Sequence, residues 1–192
     1  MDAPARALSE GPRLRTLSHA EAPPAPPPDA SHRVVVVLDN IRSLYNTGAI
    51  FRTADACGVE RIVLCGITPR PDQGGRQRRA IAKTALGAED TVAWAHEPDA
   101  RPVVTRLKGE GFEIAAVETA ADATMLFDWT PRGPVCVVFG HEREGISDSL
   151  SPTIDTVVRI PMLGQKRSLN VATAAGVVLY ELVRQRLHAA RG

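Results

Sequence analysis

Val34-Val35-Val36-Val37-Leu38-Asp39-Asn40-Ile41-Arg42-Ser43-Leu44-Tyr45-Asn46-Thr47-Gly48-Ala49-Ile50-Phe51-Arg52 is the stretch from which the fold can be read. It opens on an unbroken apolar run of valines and a leucine, which suits a strand buried on both faces. Further on, Ile50, Phe51, Ala54 and Cys57 recur at helical spacing and Gly58 supplies a stop. A helix is therefore expected over 47–57, with Asn46 as its cap. Gly48, Arg52 and Asp55 share another face of that helix. Glycine in a helix costs stability, so Gly48 reads as room for something bulky beside the Arg52 guanidinium.

The same alternation continues outward from this unit. Short apolar runs at Arg61–Cys65, Glu113–Val117, Val135–Phe139 and 156–160 predict further strands, with a weaker candidate at 91–94. Helical patterns fall at 100–108, ending at Gly109, and at 169–187. Strands alternating with helices predict an α/β fold with a parallel sheet. Ligands in such sheets gather beyond the carboxyl ends of the strands.

Polar residues are concentrated at those ends. Gly140-His141-Glu142-Arg143-Glu144-Gly145 follows one strand, its glycines permitting close backbone approaches and its Glu142 suited to accept from a ribose hydroxyl or hold a cation. Position 145 is Gly, so His141-Glu142 does not begin an H-E-x-x-H zinc motif. Pro161-Met162-Leu163-Gly164-Gln165-Lys166-Arg167-Ser168-Leu169-Asn170 follows another strand and leads into the last helix, with Ser168 placed to cap it. That helix is apolar on nearly every side, which favours packing on its own sheet and on a partner subunit over a helix in the large core of a monomer. No G-x-G-x-x-G follows the first strand, which counts against a Rossmann dinucleotide enzyme.

The chain has 192 residues, 44% hydrophobic and 23% charged, enough for one domain with a full core and too little for two ordinary ones. Residues 1–31 are rich in Ala and Pro and read as a tail and semi-rigid spacer, leaving 32–192 as the folded domain. The apolar runs are too short to span a membrane and the N-terminus lacks a secretory pattern, so a cytoplasmic protein is expected. Cys57, Cys65 and Cys136 are scattered and read as reduced buried thiols; no metal site is suggested. A net charge of +1 does not advertise a nucleic-acid binder. Arg70, Arg76, Arg78, Arg79 and Lys83 nevertheless crowd one Gly/Pro-containing segment, expected to be a basic loop that either grips phosphates or is an ordinary solvated loop.

Taken together, N-x-G-x-x-x-R at Asn46, Gly48 and Arg52, G-x-E-x-x-G at Gly140, Glu142 and Gly145, and I-P-M…S-L-N from Ile160 to Asn170 resemble the SpoU/TrmH family of SPOUT RNA methyltransferases. The stretches Asp39-Asn40-Ile41-Arg42 and Lys83-Thr84-Ala85-Leu86-Gly87-Ala88 also look like family sequence. The resemblance spans residues 33–187. It implies a parallel-sheet α/β knot of SPOUT type, a C-terminal trefoil knot in which the last segment threads through an earlier loop. It implies a homodimer with its active site at the subunit interface, and S-adenosyl-L-methionine as cofactor. The cofactor would be held near Val117, Glu118, Gly140, Ile160, Met162, Ser168 and Leu169, largely by backbone groups.

The implied reaction is methylation of a ribose 2′-hydroxyl in structured RNA, tRNA or rRNA. Arg52 would activate the hydroxyl by electrostatics and positioning, with Asn46, Glu142, Ser168 and Asn170 shaping the site. RNA contacts are expected from Arg42, Arg76, Arg78, Arg79 and Lys83. The alternative is a non-catalytic RNA-binding dimer that keeps the fold; a nucleotide-binding α/β module of another kind would show neither knot nor methyl transfer.

Overall fold

The valine run forms strand β1, Val34–Asp39, in a computed structural model that describes residues 33–189. Val35, Val36, Val37 and Leu38 have no exposed surface. Such complete burial on both faces needs a strand on each side and a layer above and below. The neighbours are β2, Arg61–Cys65, and β6, Val135–Phe139, both parallel to β1. Outward from β2 lies β3, Trp94–Glu97; outward from β6 lie β4, Glu113–Val117, β7, Thr156–Arg159, and the short β5, Thr124–Met125. The sheet has seven strands in the order β3-β2-β1-β6-β4-β7-β5, and every pairing is parallel.

One face carries α1, Leu44–Cys57, α2, Gly75–Ala85, the single turn α3, Ala88–Thr91, and α5, Val171–Ala189. Val36 and Leu38 of β1 point into this layer with Ile50, Phe51, Ile81, Val178 and Leu179. Val35 and Val37 point to the other layer, which is built mainly by α4, Ala100–Gly109, through Val103, Val104 and Leu107. The two-residue pleat of one strand thus feeds two separate cores.

Several local expectations are corrected. The first helix begins three residues earlier than expected, because Ser43 caps it, its hydroxyl accepting from the Asn46 N–H at 3.2 Å. Asn46 is therefore inside the helix and its amide is free for other partners. The expected strand at 91–94 shifts to Trp94–Glu97, because the residues after Gly87 first make one more helical turn. The expected basic loop is largely helix α2. Arg, Gln and Lys are good helix formers, and Ile81 and Ala85 give the segment a buried anchor that its charge obscures. Arg76, Arg79 and Lys83 fall on one exposed face by their spacing, while Arg78 pairs with Asp90 at 3.1 Å.

Gly48 proves to have a packing role. A Cβ there would collide with the Ile81 carbonyl and the Thr84 hydroxyl of α2, so the room beside Arg52's helix is filled by another helix. Thr84 seals the contact by donating to the Tyr45 carbonyl at 3.0 Å. The last helix is capped by Asn170 rather than Ser168: its Oδ1 accepts from the N–H groups of Ala172 and Thr173, at 3.0 and 3.4 Å. The Ala/Pro-rich tail expected over 1–31 lies outside the described residues. No helix among the described residues is long and apolar enough to cross a membrane.

Candidate active site

The chain lays β1, β2 and β3 in one direction across the sheet and then places β6, β4 and β7 on the other side of β1. A reversal of this kind leaves a crevice beyond the strand ends where the connections diverge. The residues that follow β1, β6, β4 and β7 are the Asn40–Asn46 loop, the turn from Gly140, Glu118 and the segment from Ile160. The last three of these, with the segment that enters α5, surround a cavity of about 410 Å³, within the range usual for small-ligand sites.

Val117, Glu118, Gly140, Ile160, Met162, Ser168 and Leu169, the residues expected around a cofactor, are brought together in its walls. They reach it from three strand ends and from the segment that enters α5. The lining also includes Phe139, Thr119 and Ala174, which had no motif to mark them. Arg143 and Arg167 stand in it too.

The turn after β6 is held from several sides. His141 and Gly145 exchange backbone hydrogen bonds at 2.9 Å, and the His141 Nδ1 accepts from the N–H groups of Arg143 and Glu144 at 3.1 Å. A Cβ at Gly140 would strike the backbone of Gly145 and Ile146, so this doubling-back requires glycine. Two carboxylates from other strand ends fix the exit of the turn. Glu118 accepts from the Ile146 N–H at 3.1 Å, and Asp39 accepts from the next N–H, that of Ser147, at 2.9 Å. Asp39 is 2% exposed, a buried carboxylate satisfied by that bond and by the Asn40 amide at 2.9 Å. Asp39 belongs to the family-like Asp39–Arg42 stretch, but nothing local marks this clamp, whose partner lies 108 residues away.

At the mouth, three of the expected site residues meet. The Asn46 Nδ2 donates to Glu142 Oε1 at 3.1 Å, and the Asn170 Nδ2 donates to Asn46 Oδ1 at 3.1 Å. The chain brings these groups from α1, from the β6 turn and from the start of α5. Arg52 is not brought to them. It is exposed on α1, does not line the cavity, and has no hydrogen-bond or ion-pair partner among the described residues. Arg42 is also exposed, on the loop between β1 and α1.

The cysteines lie apart from this chemistry. Burial pushes the Cys57 thiol up to about 11 and Cys65 up to about 12, which keeps both as unreactive thiols near neutrality. No group of three or more His, Cys, Asp or Glu side chains suited to a metal ion occurs among the described residues.

Comparison with known proteins gives this architecture a family. The model of the SpoU rRNA Methylase family matches residues 33–180. The chain belongs to that family. Among curated relatives, a 23S rRNA (guanosine-2′-O-)-methyltransferase, RlmB, of Vibrio parahaemolyticus is 34% identical over 157 residues. That match covers 81% of this chain but 61% of the relative, so the chain spans less than two thirds of the relative's length. Of the solved structures, the A. aeolicus TrmH/SpoU tRNA modifying enzyme superposes with a TM-score of 0.73 at 26% identity, covering 84% of this chain and 80% of that one. An AdoMet-bound rRNA methyltransferase from Sinorhizobium meliloti gives 0.72 at 27% identity, covering 80% of this chain and 57% of that one. The parallel α/β architecture read from the sequence is thus that of the family.

Proposed function

We propose that this chain is an S-adenosylmethionine-dependent RNA 2′-O-ribose methyltransferase, with residues 32–192 as its catalytic domain. The observation that carries the reading is the hydrogen-bonded Asn46–Glu142–Asn170 group at the mouth of the strand-end cavity. Membership of a family of RNA methylases supports the same chemistry.

The cavity fits the cofactor in kind. Val117, Ile160, Met162 and Leu169 offer apolar contact, and Glu118 offers a carboxylate. Gly140 and Ser168 add main-chain or hydroxyl groups suited to adenosine and amino-acid polar atoms. When bound, S-adenosylmethionine supplies an electrophilic methyl group and a neutral thioether leaving group. The chain's own task is then to hold a 2′-hydroxyl in line with that methyl group, a positioning effect of large kinetic value. Asn46, Glu142, Ser168 and Asn170 bind and orient the ribose. Arg52 stabilises the charge that develops on the reacting oxygen, since a guanidinium is a poor base.

Because Arg52 lies outside its own chain's cavity, this role requires a second copy. A homodimer that sets α1 of one chain against the cavity of the other completes the site. The half-buried Ala172, Ala174, Gly176 and Val177 of α5 offer it a closely packing surface. Threading of the segment after Ile160 through an earlier loop, the C-terminal knot, is part of the same proposal. Insertion of β6 and β7 between strands of other connections supports it. Arg42 and the α2 residues Arg76, Arg79 and Lys83 would grip RNA phosphates, with Arg78 contributing once released from Asp90. The substrate is proposed to be tRNA or rRNA.

Purified protein mixed with methyl-labelled cofactor and bulk tRNA or rRNA tests the reading. Wild type should transfer label, and Arg52→Ala should lose about 100-fold or more in rate with cofactor binding retained. Equal transfer by both proteins would remove Arg52 from the chemistry. RNA binding without any cofactor binding would favour the non-catalytic RNA-binding dimer.

A further inference from the structure

Four charged side chains line the cavity, and they are not equally provided for. Glu118 is satisfied by the N–H groups of Ile146 and Thr119, at 3.1 and 3.2 Å. Glu142 accepts from Asn46 at 3.1 Å. Arg143 and Arg167 come from different strand-end segments and are exposed; neither guanidinium has an acceptor among the described residues. The carboxylates at the site are engaged and the cations are not, so the unmet demand is for an anion. The amino end of the 19-residue helix α5 opens on the same cavity and adds positive potential.

We infer that Arg143 and Arg167 form a phosphodiester clamp at the cavity rim, holding the backbone of the nucleotide whose ribose enters. The inference rests on the proposed RNA 2′-O-methylation and adds two contacts to it. Its chemical reason lies in the substrate. A ribose 2′-oxygen and the oxygen that carries the 3′-phosphodiester sit on adjacent carbons. Any RNA that presents its 2′-hydroxyl to this cavity therefore brings an anion to the rim, beside Glu142. Without cations there, the Glu142 carboxylate would repel it. Guanidinium groups bind phosphate oxygens in bidentate fashion, and two on separate segments fix direction as well as position. The exposure of both side chains suits a polyanion arriving from solvent.

The test uses the whole chain and a tRNA pool or rRNA, whichever the wild type methylates. Wild type, Arg143→Gln/Arg167→Gln and Arg143→Lys/Arg167→Lys are compared by RNA-binding titration at several salt concentrations and by calorimetry with S-adenosylmethionine. The Gln pair should bind RNA about tenfold more weakly, with a salt dependence shallower by roughly 0.7–0.9 per lost phosphate contact. Its cofactor affinity should equal that of wild type, and the Lys pair should recover part of the loss. Unchanged RNA affinity and salt slope in a protein whose wild type is active would overturn the clamp and leave the methyltransferase reading intact. Weakened cofactor binding with normal RNA binding would overturn it too, assigning the arginines to the cofactor's carboxylate. A wild type that binds neither RNA nor cofactor would remove the proposed function, and the clamp with it.

Discussion

Asp39 and Glu118 hold adjacent backbone N–H groups, those of Ser147 and Ile146, and so define where the Glu142 turn can sit. The Ser147 N–H is part-buried, so depriving it of its acceptor costs about 1 kcal/mol. Asp39→Ala should therefore lower unfolding stability by about that amount. It should also weaken S-adenosylmethionine binding, because the turn that carries Gly140 and Glu142 loses a tether. Asp39→Asn keeps an acceptor oxygen and should lose less. Denaturant unfolding beside calorimetry checks this; a fully stable Asp39→Ala protein with normal cofactor affinity would show that the clamp is idle. At this scale the sequence revealed residues that belong to local motifs, such as Asn46, Glu142 and Asn170. It did not reveal Asp39's partner, because a hydrogen bond between residues so far apart in the chain leaves no periodic trace. Gly48 was noticed for a sound reason, its missing side chain, but the neighbour that needs the space is the α2 backbone.

Among the elements, α5 is secured at its far end by Glu181, which is 7% exposed. Its carboxylate accepts from Arg184 at 2.6 and 2.8 Å and from Gln185 at 2.8 Å, and Gln185 also donates to the Trp129 carbonyl at 2.8 Å. The Arg184 hydrogen bonds hold the Glu181 carboxyl below its ordinary value of 4.5. A depressed folded value means the stabilisation is complete above 4.5 and disappears as pH falls through the lower folded value. Glu181→Gln should thus cost about 1 kcal/mol at neutral pH, and the gap from wild type should close as the solution is acidified below that range. Thermal or denaturant melts across pH measure it; a gap that stays constant into acid would refute the ion-pair account.

Most elements were legible because their signals are local: uninterrupted β-branched runs for β1 and β6, a glycine stop for α1. Helix α2 was hidden because only Ile81 and Ala85 are buried and cationic residues dominate its composition. The start of α1 was misplaced because Ser43 and Asn46 are both good caps. Ser43 takes the role, and Asn46 is left to reach Glu142.

For the whole molecule, the parallel sheet followed from strand–helix alternation, and the strand-end rule pointed to the side of it where the cavity lies. Strand order was not legible. The insertion of β6 between β1 and β4 is decided by side-chain packing between segments distant in the chain, and hydrophobic periodicity says nothing about which strands become neighbours. That insertion sets the Gly140 turn between Asp39 and Glu118 and thereby makes the cavity. The same long-range arrangement leaves Arg52 outside its own cavity, so the role proposed for it needs a second chain.

Methylation of a ribose 2′-oxygen can be read directly from the chemistry of RNA. Alkali cleaves RNA through attack by the free 2′-hydroxyl, so a methylated 2′-oxygen protects the linkage on its 3′ side. RNA labelled by this protein from methyl-labelled S-adenosylmethionine should be digested with alkali and the products separated. The label should survive in alkali-resistant dinucleotides and be absent when Asn46→Ala/Arg52→Ala protein is used. Label released in mononucleotides, which would place the methyl group on a base, or no label from wild-type protein on either tRNA or rRNA, would contradict methylation of the 2′-oxygen.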